Sequence, residues 1–133
     1  MTLLIALASL SGLGSVNDCS KGTSIFKIIS MSFSPDPPIS GQNSTLLLSM
    51  NVPTQVSGGT ATYSLTYNFI PISPSVEDLC KILPSGCPII IGKLDTVSNI
   101  PFDTSLKGSI GIKINWKDIS NNELMCVSIN TKI

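Results

Sequence analysis

From residue 110 to residue 116 every second side chain is large and apolar: Ile110, Ile112, Ile114 and Trp116 alternate with Gly111, Lys113 and Asn115. Side chains on a β-strand point alternately to opposite faces, so this spacing predicts a strand with one dry and one wet face. The same period recurs along the chain. "GGTATYSLTYNFI" puts Ala61, Tyr63, Leu65, Tyr67 and Phe69 on one face, and "STLLLSMNV" aligns Leu46, Leu48, Met50 and Val52. "SIFKIISMSF" predicts a first strand with Ile29, Met31 and Phe33 in phase, and "ELMCVSINTKI" a last one with Met125, Val127 and Ile129. No helical period persists for three turns. Prolines at 35, 37, 38, 53, 71, 74, 84 and 101 break the runs apart. Short alternating strands with Pro and Gly punctuation predict an all-β fold, an antiparallel sandwich of about seven strands.

A chain of 133 residues fits one domain. Its 8 basic residues are all lysines and are balanced by 8 acidic ones, so it has neither a basic stripe nor a guanidinium fork for phosphates. Nucleic acid is therefore not an expected partner. With no histidine, the usual general base, the common zinc ligand and any Ser-His or Cys-His couple are missing. Glu77, Asp78 and Asp103 are scattered rather than paired for acid-base work. No catalytic residue, metal or cofactor is assigned, and the expectation is a protein that is not an enzyme.

The opening residues 1–15 are uncharged, apolar in their first half, and end in small residues such as Gly12, Gly14 and Ser15. They predict a secretory signal followed by a domain over 16–133; an apolar first strand is the competing reading. Cys19, Cys80, Cys87 and Cys126 form an even set behind that segment, so two disulfides are expected, with three pairings open. The Cys80 and Cys87 spacing suits neither a Cys-x-x-Cys metal knuckle nor a thioredoxin-like centre. Asn43 opens an Asn-Ser-Thr glycosylation sequon.

Four local signatures in order resemble one family. "DCSKG", "SFSPDPPISGQNSTLLL", "DLCKILPSGCPIIIGKL" and "NELMCVSI" are similar to the ML-domain lipid-recognition proteins. That group includes the soluble Niemann-Pick type C sterol-transfer protein and the fungal phosphatidylglycerol/phosphatidylinositol transfer proteins. The resemblance implies an immunoglobulin-like sandwich with a hydrophobic cavity between its sheets, holding one sterol or phospholipid as ligand. It also implies the pairs Cys19 with Cys126 and Cys80 with Cys87. A third disulfide found in some members has no counterpart here, since residues 35–42 contain no cysteine. The implied protein carries lipid to a membrane that it touches transiently. It works as a monomer, outside the cell or in the lumen of a lysosome, vacuole or endosome, and a membrane lipid-transport protein or a receptor is a further partner. A lipid-presenting protein acting with a receptor, or a solid sandwich used for adhesion, are the alternatives.

The candidate cavity positions are the in-phase apolar residues Met31, Phe33, Leu46, Leu48, Met50, Ile110, Ile112, Ile114, Trp116, Val127 and Ile129. Periodicity says only that they face inward, and a solid core would use the same pattern. Ile70, Ile72 and Phe102, each next to a proline, are expected on loops at the cavity entrance. Tyr63 and Tyr67 are candidate head-group donors, and Lys93, Lys107 and Lys113 candidate contacts for anionic lipid. A cavity of about 500 Å³ left empty would cost about 12 kcal/mol at the rate seen for engineered voids, as much as a whole domain's stability. A hollow fold of this size has to be braced or occupied.

Overall fold

The computed structural model describes residues 16–133; the expected signal over 1–15 lies outside the described residues. Eight strands run in chain order: β1 (Val16–Asp18), β2 (Lys27–Ser34), β3 (Asn43–Val52), β4 (Gly59–Tyr67), β5 (Ile70–Asp78), β6 (Gly92–Pro101), β7 (Ser109–Asp118) and β8 (Glu123–Lys132). One short helix, α1 (Leu79–Ile82), follows β5. The strands form two antiparallel sheets, one of five in the order β1-β8-β7-β4-β5 and one of three in the order β2-β3-β6.

Most of the period-two runs become strands in the expected phase. In the larger sheet Trp116, Ile114 and Ile112 lie opposite Met125, Val127 and Ile129 on one side and Ala61, Tyr63 and Leu65 on the other. In the smaller sheet Met31 and Phe33 pair with Leu48 and Leu46. These two inner faces supply the core: Phe26, Leu46, Met50, Val127 and Ile129 are fully buried, and Phe26 meets Trp116 edge to face with ring centroids 6.5 Å apart.

Two strands depart from the expected reading. A bulge between Ile28 and Ser30 shifts the phase of β2, so Ile28 packs on the core while Ile29 is 61% exposed. The prolines of "IPISPSVED" look like strand breakers, yet residues 70–78 form β5. Proline cannot donate to a ladder, and this strand tolerates two because it is the edge of its sheet and carries a bulge opposite Ser64, where Pro74 falls. Ile70 and Ile72 are therefore strand residues rather than loop residues. The apolar run after Cys87 is not a strand: Ile89 makes one buried bridge to Val56, Ile90 and Ile91 are exposed, and β6 begins at Gly92.

Disulfides join Cys19 to Cys126 and Cys80 to Cys87, with Cα atoms 5.1 and 5.0 Å apart. The first ties the β1 end to the middle of β8, where the Cys19 amide also donates to the Cys126 carbonyl at 3.1 Å. The second fastens α1 to the loop before Ile89, and the Asp78 carboxylate caps that helix by accepting from the Cys80 amide at 2.9 Å.

The β7–β8 turn is organised by Asp118, whose carboxylate accepts from the backbone amides of Asn122 and Ser120, both at 2.9 Å. These bonds, the Asn122 amide first, hold its pKa below the ordinary carboxylate value. A group with a lowered folded pKa stabilises the fold above its unfolded pKa and loses that contribution as pH falls through the folded value. Asp118→Ala is thus expected to melt below the parent at neutral pH, with the gap closing as acid protonates the carboxyl. Thermal melts from pH 7 to 2 check this, and a gap that persists in acid would assign the effect to something other than the charge.

Candidate functional site: a cleft between unequal sheets

Five strands face three, so the smaller sheet cannot cover the larger. The uncovered part is β5, all nine residues of which are exposed. Across from it stands β6, an edge strand of the smaller sheet, and between them the sandwich gapes into a cleft with two chambers. The outer chamber, about 490 Å³, is walled by Leu65, Ile72, Ile100, Ile112 and Ile114, with Ser73, Ser75 and Ser98 at its polar margin. The inner chamber, about 210 Å³, is walled by Leu48, Ile114, Trp116, Met125 and Thr96 and roofed by Ile82, Leu83 and Pro84 around α1. Tyr63, Ser98 and Ile114 border both chambers and form the waist between them. The outer volume lies inside the roughly 300 to 1,000 Å³ of common ligand sites.

Four of the eleven candidate cavity residues, Leu48, Ile112, Ile114 and Trp116, line these chambers. Phe33, Leu46, Met50, Ile110, Val127 and Ile129 are buried in the closed part of the sandwich instead, and Met31 packs half-buried against it. At the expected entrance Ile72 lines the outer chamber and Ile70 is exposed one rung beyond, opposite Tyr67. Phe102 differs from expectation: only 3% exposed, it packs edge to face on Phe33 with ring centroids 6.2 Å apart. Its backbone explains this, because hydrogen bonds to Gln42 and Gly41 on both sides fold the 101–103 segment inward.

The exposed aromatic is Phe69, 87% exposed at the tip of the β4–β5 hairpin. Asn68 and Phe69 both have positive φ, the conformation of a two-residue hairpin turn matching the twist of the strands. Asn68 anchors that tip, accepting from the Ser109 amide at 2.9 Å, while the Tyr67 hydroxyl accepts from the Lys107 amide at 3.0 Å. Gly108 is required beside it: its φ is +108°, and a Cβ there would collide with the Asn68 side chain.

Residues with no apolar signature complete the walls. Thr96 and Ser98 lie between Leu94 and Ile100 on the inner face of β6, a pattern too polar to mark a core strand. Tyr63 is half-buried at the waist; burial, and then the negative charge of Glu77, raises its pKa, so its hydroxyl stays a donor at neutral pH. Lys93, Lys107 and Lys113 are exposed, and Lys107 alone of the three adjoins the hairpin tip through its backbone, whose amide donates to Tyr67 and whose carbonyl accepts from the Asn68 side-chain amide at 3.4 Å. Asn43 is exposed at the start of β3. Among the described residues no three His, Cys, Asp or Glu side chains gather to hold a metal, and no helix is long and apolar enough to cross a membrane.

The family model described as the ML domain matches residues 14–133. The chain belongs to the ML-domain family. Among curated relatives of this ML-domain protein, "Putative phosphatidylglycerol/phosphatidylinositol transfer protein 1" of Dictyostelium discoideum is 29% identical over 120 residues, covering 88% of this chain and 79% of that one. A second protein of that organism, of the same name but numbered 3, is 28% identical with the same coverage. Among solved structures, a Niemann-Pick type C2 protein from the Japanese carpenter ant superposes with a TM-score of 0.68 at 17% identity, over 88% of this chain and 97% of that one. Chicken MD-1 complexed with lipid IVa gives 0.57 at 12% identity, over 80% and 87%. At those identities the likeness is one of fold, the sandwich of two antiparallel sheets.

Proposed function

We propose that this ML-domain protein is a lipid carrier that holds one sterol or phospholipid in the cleft between β5 and β6 and delivers it to a membrane. The observation that carries the reading is the mismatch of five strands against three, which leaves an apolar-walled cleft open along β5. Hiding an acyl chain there gains about 0.8 kcal/mol per methylene, roughly 12 kcal/mol for fifteen, so escape into water is slow and hand-over takes place at a membrane or a partner's mouth. The names of the amoebal relatives favour phospholipid as cargo. Two disulfides in so small a chain favour an oxidising compartment: secretion, or the lumen of a lysosome, vacuole or endosome. The carrier works without a cofactor and is not a catalyst.

Native mass spectrometry of the purified protein, with lipid extraction, tests the reading alongside transfer of labelled phosphatidylglycerol and sterol between vesicles. A lipid-free protein that moves neither would overturn it; tight receptor binding without transfer would favour a lipid-presenting role.

Phe69 is the part of this carrier that enters the bilayer, with exposed Ile70 beside it and Lys107 bonded through its backbone to the same hairpin. Burying a phenylalanine stabilises by about 2 kcal/mol, so Phe69→Ser is expected to weaken binding to anionic vesicles roughly 30-fold. Cosedimentation with phosphatidylglycerol vesicles measures it. Cargo affinity in detergent should not change, because the ring lines neither chamber.

A further inference from the structure

Among the described residues, the indole Nε1 of Trp116 and the hydroxyl Oγ1 of Thr96 are buried with no hydrogen-bond partner. Both residues line the inner chamber, Trp116 on β7 of the larger sheet and Thr96 on β6 of the smaller, so the two unpartnered groups belong to opposite sheets bordering one void. Trp116 is only 4% exposed. A buried polar group without a partner costs free energy, and in folded proteins nearly all such groups are satisfied. The third such atom, Ser49 Oγ, borders a groove on the outer side of the smaller sheet, not this chamber. An indole nitrogen can only donate, and a threonine hydroxyl can donate as well as accept. Two groups able to donate, on residues lining one chamber, are therefore without an acceptor.

We infer that Trp116 and Thr96 form an oxygen-binding subsite at the α1 end of the cleft, which takes a hydroxyl or carbonyl oxygen of the bound lipid. The inference rests on the lipid-carrier reading and deepens it by fixing how the cargo lies. The oxygen-bearing segment occupies the inner chamber, and hydrocarbon fills the outer one among Leu65, Ile72, Ile100 and Ile112. Such a site rejects a ligand of the same shape that has no oxygen, since binding it would seal both donors away from water unpaired.

Trp116 is the one tryptophan of the chain, so its indole N–H gives a single resonance in a ¹⁵N-labelled sample. Delipidated protein is titrated with two matched pairs: cholesterol against its 3-deoxy analogue cholestane, and dioleoyl phosphatidylglycerol against its diether analogue, which lacks the ester carbonyls. The indole proton should move downfield with cholesterol or with the ester lipid, whichever pair binds, and the member lacking that hydroxyl or carbonyl should bind about tenfold more weakly. A response to the sterol pair identifies a hydroxyl as the acceptor; a response to the glycerolipid pair identifies a carbonyl. Thr96→Val, which removes one of the two donors at nearly constant shape, should shrink the difference within that pair, and Thr96→Ser should restore it. Equal binding and equal shifts within the bound pair would overturn the subsite while leaving the carrier reading intact. So would a Thr96→Val loss of the same size for both members. Binding of neither pair would remove the carrier reading, and the subsite with it.

Discussion

Ser98→Trp is expected to abolish lipid uptake while the sandwich stays folded. Ser98 sits on β6 at the waist, where with Tyr63 and Ile114 it borders both chambers. An indole placed there projects into space that the fold leaves empty, so it closes the passage without displacing the packed core behind Leu46 and Met50. If five methylenes of the cargo are excluded, at about 0.8 kcal/mol each, affinity falls by about 4 kcal/mol, roughly a thousandfold. Filling a void also removes part of its cost to the empty fold, so thermal stability should hold or rise. Uptake of fluorescent lipid is measured beside circular dichroism, with Ser98→Ala as the control that keeps the passage open. Less than a tenfold loss in a folded Ser98→Trp protein would mean that the cargo lies elsewhere.

Removing the long disulfide should have the largest effect on stability. Cys19 and Cys126 are separated by 107 residues, and cross-links closing loops of about that size contribute about 4.7 kcal/mol in the chain-entropy model. Set against the roughly 5 to 15 kcal/mol of a typical domain, the double replacement Cys19→Ser and Cys126→Ser leaves a protein close to unfolding at body temperature. The short bridge closes a span of 7 residues, for which the same model gives about 2.5 kcal/mol. Its double serine variant should keep a cooperative melt and loosen first around α1, which roofs the inner chamber. Calorimetry on both variants, with hydrogen exchange to locate the opening, tests the ordering. A larger loss of stability from the short bridge would show that α1 braces the core rather than only the cleft.

The parts of the fold legible in the sequence are those where one face of a strand is wet and the other dry. β3, β4 and β7 are of this kind and β8 partly so, with Leu124 and Cys126 also buried near its start; in all four the alternation marked both the strand and its inward face. β5 and β6 were not legible, for opposite reasons. The prolines of β5 are breakers in a central strand but are harmless at an edge, and nothing local says which strand will be an edge. The inner face of β6 carries Thr96 and Ser98 because a chamber wall does not have to be as apolar as a packed core. Phe102 reads as an exposed loop aromatic for a similar reason: a proline before it says that the chain turns, not in which direction. Phe69, which continues the β4 alternation and looks like an inward residue, is instead carried to the tip by the positive φ of Asn68 and itself.

The sequence by itself determined the class of fold, the family and the inward faces of four strands, because alternation, turn chemistry and local motifs are short-range properties of the chain. The tertiary structure alone decided which inward residues line a void and which fill a core. Leu48 and Met50 share one face of β3, yet Leu48 lines the inner chamber and Met50 is packed solid. The difference lies in what stands opposite, and that depends on three strands being laid over five with β5 left uncovered, a relation between distant segments that no local pattern encodes.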